Sequence, residues 1–261
     1  MRRRLLSNIV LPLAGLALAV LLWNLGVIAL EMRTPIAAAF SPWNTAQALV
    51  RLLEGHDIWV HMALSLKRVG IALAIAIAVG VPLGIAVAMS KTFARGSTPL
   101  FQLLRMVSPL SWMPIAVMVL GVGDAPVYFL LAFAAVWPIM LNTVAGVAQL
   151  DPNWILLARS LSATRFELVW RVVLPGITAH ILTGVRLAIG IIWIVLVPAE
   201  MLGVSAGLGY FILDTRDRLA YSELTATIIL IGVLGYLLDF LARVAHGRWL
   251  HGSDNARIGS G

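Results

Sequence analysis

Residues 62–89 read MALSLKRVGIALAIAIAVGVPLGIAVAM, and their conformation decides the fold. The inner run IALAIAIAVG (71–80) alternates in the manner of a strand. It sits inside a much longer apolar stretch, and that length favours a helix. A helix needs about 20 apolar residues to cross a bilayer, and this stretch supplies them. Within it Gly80 and Gly84 form a G-x-x-x-G, a spacing that lets two helices approach closely.

Working outward, five further stretches are long and apolar enough: 9–30, 100–120, 126–148, 177–204 and 224–245. Composition agrees. The chain has 261 residues, 61% of them hydrophobic and 12% charged, with a mean hydropathy of +0.95. A soluble domain carries about 25% charged residues. The expected fold class is therefore all-α: a polytopic membrane protein with about six spans. The N-terminal apolar run, 9–30, is too long for the core of a signal peptide. It reads as a retained first helix.

The formal net charge is +7. Nucleic-acid binding is not expected, because no basic face with interleaved aromatics is present. The positive charge fits the inner loops of a membrane protein. With the N-terminus inside, eleven basic residues fall in cytosolic segments: Arg2, Arg3, Arg4, Lys91, Arg95, Arg159, Arg165, Arg171, Arg243, Arg248 and Arg257. Four fall outside: Arg33, Arg51, Arg216 and Arg218. Lys67, Arg68, Arg105 and Arg186 lie near span ends. This bias places both termini in the cytosol.

One long polar segment, DPNWILLARSLSATRFELVWRVVLP (151–175), then falls on the cytosolic side. Asp151 is a good N-cap and Pro152 suits the first helical position. Ser162-Ala163 interrupts that helix. Thr164 with Glu167 three residues on is a capping box, so a second helix starts there. Pro175 marks the start of the next span. The prediction is a helical hairpin outside the bilayer core, either lying on the membrane surface or gripped by a soluble partner.

The hairpin resembles the EAA loop of bacterial binding-protein-dependent ABC importers, whose pattern is E-A-A-x3-G-x9-I-x-L-P. Aligned on Leu174-Pro175, the E-A-A positions fall on Leu156, Leu157 and Ala158. The glycine position falls on Ser162 and the isoleucine on Val172. The family's Glu and Gly are missing, and the missing Gly bears on the sharpness of the turn. The segments SPLSWMPIAVMVLGVGDAPVYFLLAFAAVWPIMLNTVAGV (108–147) and LVPAEMLGVSAGLGYFILDTRDRL (196–219) extend the resemblance. It is closest to permeases of the nitrate, sulfonate, taurine, cyanate and bicarbonate group.

The resemblance implies a permease subunit of an ATP-driven importer for a small, anionic solute. It implies no enzyme activity and no cofactor in this chain, with ATP and Mg bound by partner ABC ATPase subunits. Those ATPases would dock on Leu157, Ala158, Arg159, Ser162, Ala163, Thr164, Arg165, Glu167 and Pro175. The other implied partners are a periplasmic or lipid-anchored solute-binding protein, a second permease copy and the lipid bilayer. The implied location is the bacterial inner membrane. The implied division is a first helix with a periplasmic loop (1–61), a permease core (62–246) and a cytosolic tail (247–261).

The translocation path is expected near Ser108, Ser111, Trp112 and Met113, where Pro109 and Pro114 interrupt a span. Proline within a span bends the helix and frees carbonyls. Asn142 either glues helices or lines the path. Glu200 is an ionisable group at membrane depth, which is costly and often functional. It pairs with a base, accepts backbone N–H groups or holds an outer gate. Arg186 either attracts an anion or snorkels to lipid head groups. The segment 207–219, the 31–61 loop and Asp124 make a candidate binding-protein surface.

The chain has no cysteine, and His56, His61, His180, His246 and His251 lack metal-ligand spacing, so no metal site is expected. No P-loop or H-E-x-x-H occurs. The alternative is a secondary transporter or channel working without an ATPase, which predicts paired broken helices with midplane ligands.

Overall fold

A computed structural model describes residues 2–258, with side chains over 10–245 and at 247. Met1 and 259–261 lie outside the described residues, as do the side chains of Arg2, Arg3, Arg4, His246, Arg248, His251 and Arg257. Among the described residues every regular element is helical. In chain order these are α1 (Arg2–Glu31), α2 (Pro42–Glu54), α3 (Asp57–Met89), α4 (Lys91–Met106), α5 (Met113–Leu120), α6 (Asp124–Ala148), α7 (Pro152–Ser160), α8 (Arg165–Leu168), α9 (Leu174–Gly203), α10 (Leu208–Asp217) and α11 (Tyr221–Ile258).

Five helices are long and apolar enough to cross a membrane: Val10–Glu31, Asp57–Met89, Asp124–Ala148, Arg165–Gly203 and Tyr221–Ala245. They correspond to five of the six predicted spans. The remaining one, expected at 100–120 as a single helix, is broken. Lys91–Met106 and Pro109–Leu120 meet at 92°. Proline explains the break. The residue before a proline is pushed off helical angles, and Ser108 takes ψ 130 ahead of Pro109.

A second difference concerns Pro175, expected to mark a fresh start. Instead α8 runs through a π-helical turn, Val169–Val173, into α9. Proline clashes with the carbonyl four residues back. Opening the helix by one residue per turn at 169–173 accommodates it.

The chain forms two compact units. The first comprises Met1–His61 and Phe211–Gly232. Its segment between α1 and α3, expected as a loop, is largely helical, with a short 3-10 turn at Pro35–Phe40 before α2. Ser41 caps α2 by accepting from the Asn44 N–H at 3.3 Å. The Ser222 hydroxyl donates to the Ala39 carbonyl at 2.8 Å.

The second unit comprises Met62–Tyr210 and Val233–Gly261, and α6 is its axle. On one side α3 presses its two glycines onto α6. A Cβ added at Gly80 would lie 3.0 Å from the Val136 carbonyl, and one at Gly84 would lie 2.6 Å from Thr143 Cβ. The G-x-x-x-G is thus a close-packing face. On another side α9 packs Gly184 against Ile139. Leu130, Leu131, Ile139, Ile177, Ile192 and Leu196 between these helices are fully buried. Apolar solvation gives little drive to associate helices inside lipid, so fit of this kind carries the contact.

Candidate functional site

Two constellations stand out in the second unit, at opposite ends of α6. Beyond its C-terminal end lies the 151–175 hairpin. The Asp151 carboxylate accepts from the Asn153 N–H at 2.9 Å and starts α7. Thr164 and Glu167 form the capping box: the Glu167 N–H reaches Thr164 Oγ1 at 3.3 Å and the Thr164 N–H reaches Glu167 Oε2 at 2.9 Å.

The turn between the helices is a Schellman motif. The Ala163 N–H donates to the Ala158 carbonyl and the Ser162 N–H to the Arg159 carbonyl, both at 3.0 Å. Such a turn needs a left-handed residue, and Ser162 takes φ +59. Ser162 occupies the position where the EAA pattern has glycine. The turn therefore keeps its sharpness without the glycine, at a backbone cost of about 1–2 kcal/mol.

Of the predicted docking residues only Ala158 is buried. Arg159, Thr164, Arg165 and Pro175 are exposed and Ala163 and Glu167 half-buried. Leu157 is 61% exposed, Leu161 75% and Phe166 71%. A cavity of about 470 Å³ opens beside Leu157, Leu161, Arg171 and Pro175. The hairpin thus presents a row of bare apolar side chains with Arg159, Arg165 and Arg171 among them.

At the other end of α6, Arg68 of α3 is 3% exposed and Glu200 of α9 has no exposed surface. Arg68 Nη1 donates to Glu200 Oε1 and to the Ala206 carbonyl, each at 2.6 Å. Its Nε and Nη2 donate to Asp124 Oδ1 at 3.0 and 2.7 Å. The Ser65 hydroxyl bridges both Glu200 oxygens at 2.8 and 2.9 Å. It accepts in turn from the Leu208 N–H at 2.9 Å. The Gly209 N–H completes the shell of Glu200 at 2.9 Å. One arginine between two carboxylates thus ties together α3, the start of α6, the end of α9 and the turn into α10.

Glu200 therefore both pairs with a base and accepts a backbone N–H. Its partners Arg68 and Ser65 were missed. The available signal was chemical: a carboxylate in an apolar helix requires a cation, and Arg68 is embedded in span 62–89. Asp124, expected on a docking surface, is engaged by Arg68.

The other expected path residues do not converge. Ser108 and Ser111 lie exposed on the broken span. Met113 is buried and its methyl group packs against Gly203. The Trp112 ring lies 5.8 Å from Phe133. Asn142 Nδ2 donates to the Pro138 carbonyl at 2.8 Å, within its own helix. Arg186 Nε lies 3.8 Å from Asp239, with both side chains partly exposed. Among the described residues no group of three or more His, Cys, Asp or Glu could hold a metal.

The family model for the binding-protein-dependent transport system inner membrane component matches residues 80–250. This chain belongs to that family. It is a permease subunit of an ABC importer. The bicarbonate transport system permease protein CmpB of Synechococcus elongatus is 34% identical over 258 residues, covering 95% of this chain and 91% of that protein. The taurine transport system permease protein TauC of Escherichia coli is 32% identical over 191 residues, covering 73% and 70%.

Solved structures share the permease fold. A subunit of a bacterial ABC transporter that imports the acidic polysaccharide alginate superposes with a TM-score of 0.67 at 16% identity, over 95% of this permease and 99% of that chain. A subunit of the MetNI methionine ABC transporter gives 0.60 at 13%, over 73% and 96%.

Proposed function

We propose that this permease moves a small anion, of the nitrate, bicarbonate or sulfonate kind, and that a separate ATPase drives it by docking on the 151–175 hairpin. The observation that carries the docking reading is the hairpin itself: a sharply closed turn holding Leu157, Leu161 and Phe166 in the open beside three arginines. Apolar anchors with arginine are what a soluble partner's groove grips. Leu157, Ala158, Arg159, Ser162, Ala163, Thr164, Arg165, Glu167 and Pro175 form the docking surface. ATP and Mg belong to that partner, and this chain is no enzyme.

The anion class rests on the relatives and on charge. The one fully buried carboxylate among the described residues, Glu200, is matched by Arg68. No bare negative charge is left there to repel an anion. Ser108 and Ser111 offer hydroxyls on the broken span. The basic-residue bias puts both termini in the cytosol and the hairpin on the same side, in the bacterial inner membrane. The remaining partners are a second permease copy and a periplasmic or lipid-anchored solute-binding protein. The permease core is 62–246, flanked by the 1–61 and 247–261 segments.

The alternative of a secondary transporter would require paired broken helices. Among the described residues one bent pair occurs. The deciding experiment is a mild-detergent pull-down of tagged permease expressed from its chromosomal locus. A stoichiometric P-loop ATPase is expected, and the double variant Leu157→Arg, Leu161→Arg should lose it while still reaching the membrane. Retention of the ATPase by that variant would remove the docking role from the hairpin.

A further inference from the structure

Helix α4, KTFARGSTPLFQLLRM, has 16 residues and none is buried. Phe93, Leu100, Leu103 and Met106 are exposed on it, Met106 by 74%. A helix so bare of protein contact holds its apolar face only in an apolar medium. Its charges all have one sign. Lys91, Arg95 and Arg105 lie on it, and no Asp or Glu occurs anywhere from 58 to 123.

Its direction follows from its neighbours. Pro109–Leu120 turns away from α4 at 92° and runs along α6 toward the start of that helix. Trp112 meets Phe133, and farther on the Gly123 N–H donates to the Gly203 carbonyl at 3.2 Å. Helix α4 instead packs against the C-terminal half of α6. Thr98, Phe101, Gln102 and Arg105 face Met140, Leu141 and Val144 of α6, and the Phe101 ring lies 6.0 Å from Trp137, one turn earlier. The contact runs from Trp137 to Val144, and so ends about one turn before the C-terminal end of α6.

Between α4 and α6 is a cavity of about 260 Å³. Phe101, Met140, Leu141 and Val144 give it apolar walls, while Gln102 and Arg105 supply polar ones. An acyl chain fits the first set and a phosphate the second. We propose that α4 and this cavity form a binding site for an anionic phospholipid. Arg105, with Gln102, holds the phosphate at the cavity, Lys91 and Arg95 add to the positive field along α4, and the acyl chain lies against α6. The bound lipid fills the hollow under the broken span and steadies its hinge at 107–108.

The test is native mass spectrometry of the full-length permease in a mild non-ionic detergent, titrated with phosphatidylglycerol or phosphatidylcholine. A basic side chain at an anionic surface contributes about fivefold in affinity. The wild type should therefore bind phosphatidylglycerol at least about tenfold more tightly. The triple variant Lys91→Gln, Arg95→Gln, Arg105→Gln should lose that preference. The control Arg159→Gln, Arg165→Gln, Arg171→Gln should keep it.

Equal binding of the two lipids by the wild type overturns the proposal without recourse to any variant. So does a preference that survives in the triple variant. Displacement of the lipid by inorganic phosphate would show a free-anion site instead. A triple variant altered only in its self-association would assign the face to a second copy of the chain.

Discussion

Arg68 Nη1 lies 2.6 Å from Glu200 Oε1, with the two side chains 3% and 0% exposed. Removing one partner of a buried ion pair leaves an unmatched charge, at a cost of about 3–5 kcal/mol. Arg68→Met strands both Glu200 and Asp124, so a large fall in thermal stability in detergent is expected. Arg68→Lys should fall between, because an ammonium cannot span the two carboxylates as the guanidinium fork does. The double variant Arg68→Met, Glu200→Leu should recover part of the loss. Scanning fluorimetry of the four proteins reads the order directly. Wild-type stability in Arg68→Met would mean that the pair contributes nothing to the fold.

The glycines of α3 and α4 make opposite predictions for one substitution. Gly84→Ala drives a methyl group to 2.6 Å from Thr143 Cβ and 2.7 Å from the Met140 carbonyl. Backbone cannot yield as a side-chain tip can, so α3 and α6 must part. A loss of about 1–3 kcal/mol is expected, as for an overpacked core. At Gly96, within α4, an added Cβ meets nothing within 4 Å. Gly96→Ala should be neutral or gain about 0.5–1 kcal/mol from helix propensity. Equal effects at the two sites would contradict the helix contact described for α3 and α6.

The hairpin offers a local test. Thr164→Ala removes the side chain that accepts the Glu167 N–H and leaves Glu167 without the hydroxyl that donates to it. Loss of such a cap costs about 1 kcal/mol. Since α8 continues into a long span, the effect should be confined to the first turn. Hydrogen exchange should speed at 165–168 and stay unchanged across α9. Faster exchange throughout α9 would show that the cap supports the whole helix.

These residues also mark what a sequence can carry. Thr164 and Glu167 are three apart, so their box is legible in the chain, as is the helix pattern of 62–89. Pro109 announces a disturbance in its span. The 92° angle depends on what α4 and α5 each find to pack against, which no local pattern records. Arg68 and Glu200 are 132 positions apart. Burial of Glu200 demands a cation, but only the folded bundle selects Arg68 among the basic residues near span ends. The turn at Ser162-Ala163 is legible too, but the left-handed conformation of Ser162 is not. Its geometry is the common one, and its residue is not.

That substitution gives the last prediction. Ser162 holds φ +59 with both Schellman hydrogen bonds made, so the surrounding backbone, and not the residue, dictates the conformation. Glycine adopts this region without the steric penalty. Ser162→Gly should therefore stabilise the hairpin by about 1 kcal/mol, and Ser162→Val, branched at Cβ, should destabilise it by at least as much. Slower hydrogen exchange at Ala163 and a raised melting temperature would register the gain. If Ser162→Gly instead loosened the turn, the serine side chain would have to be holding it, and the left-handed strain assigned to this position would be wrong.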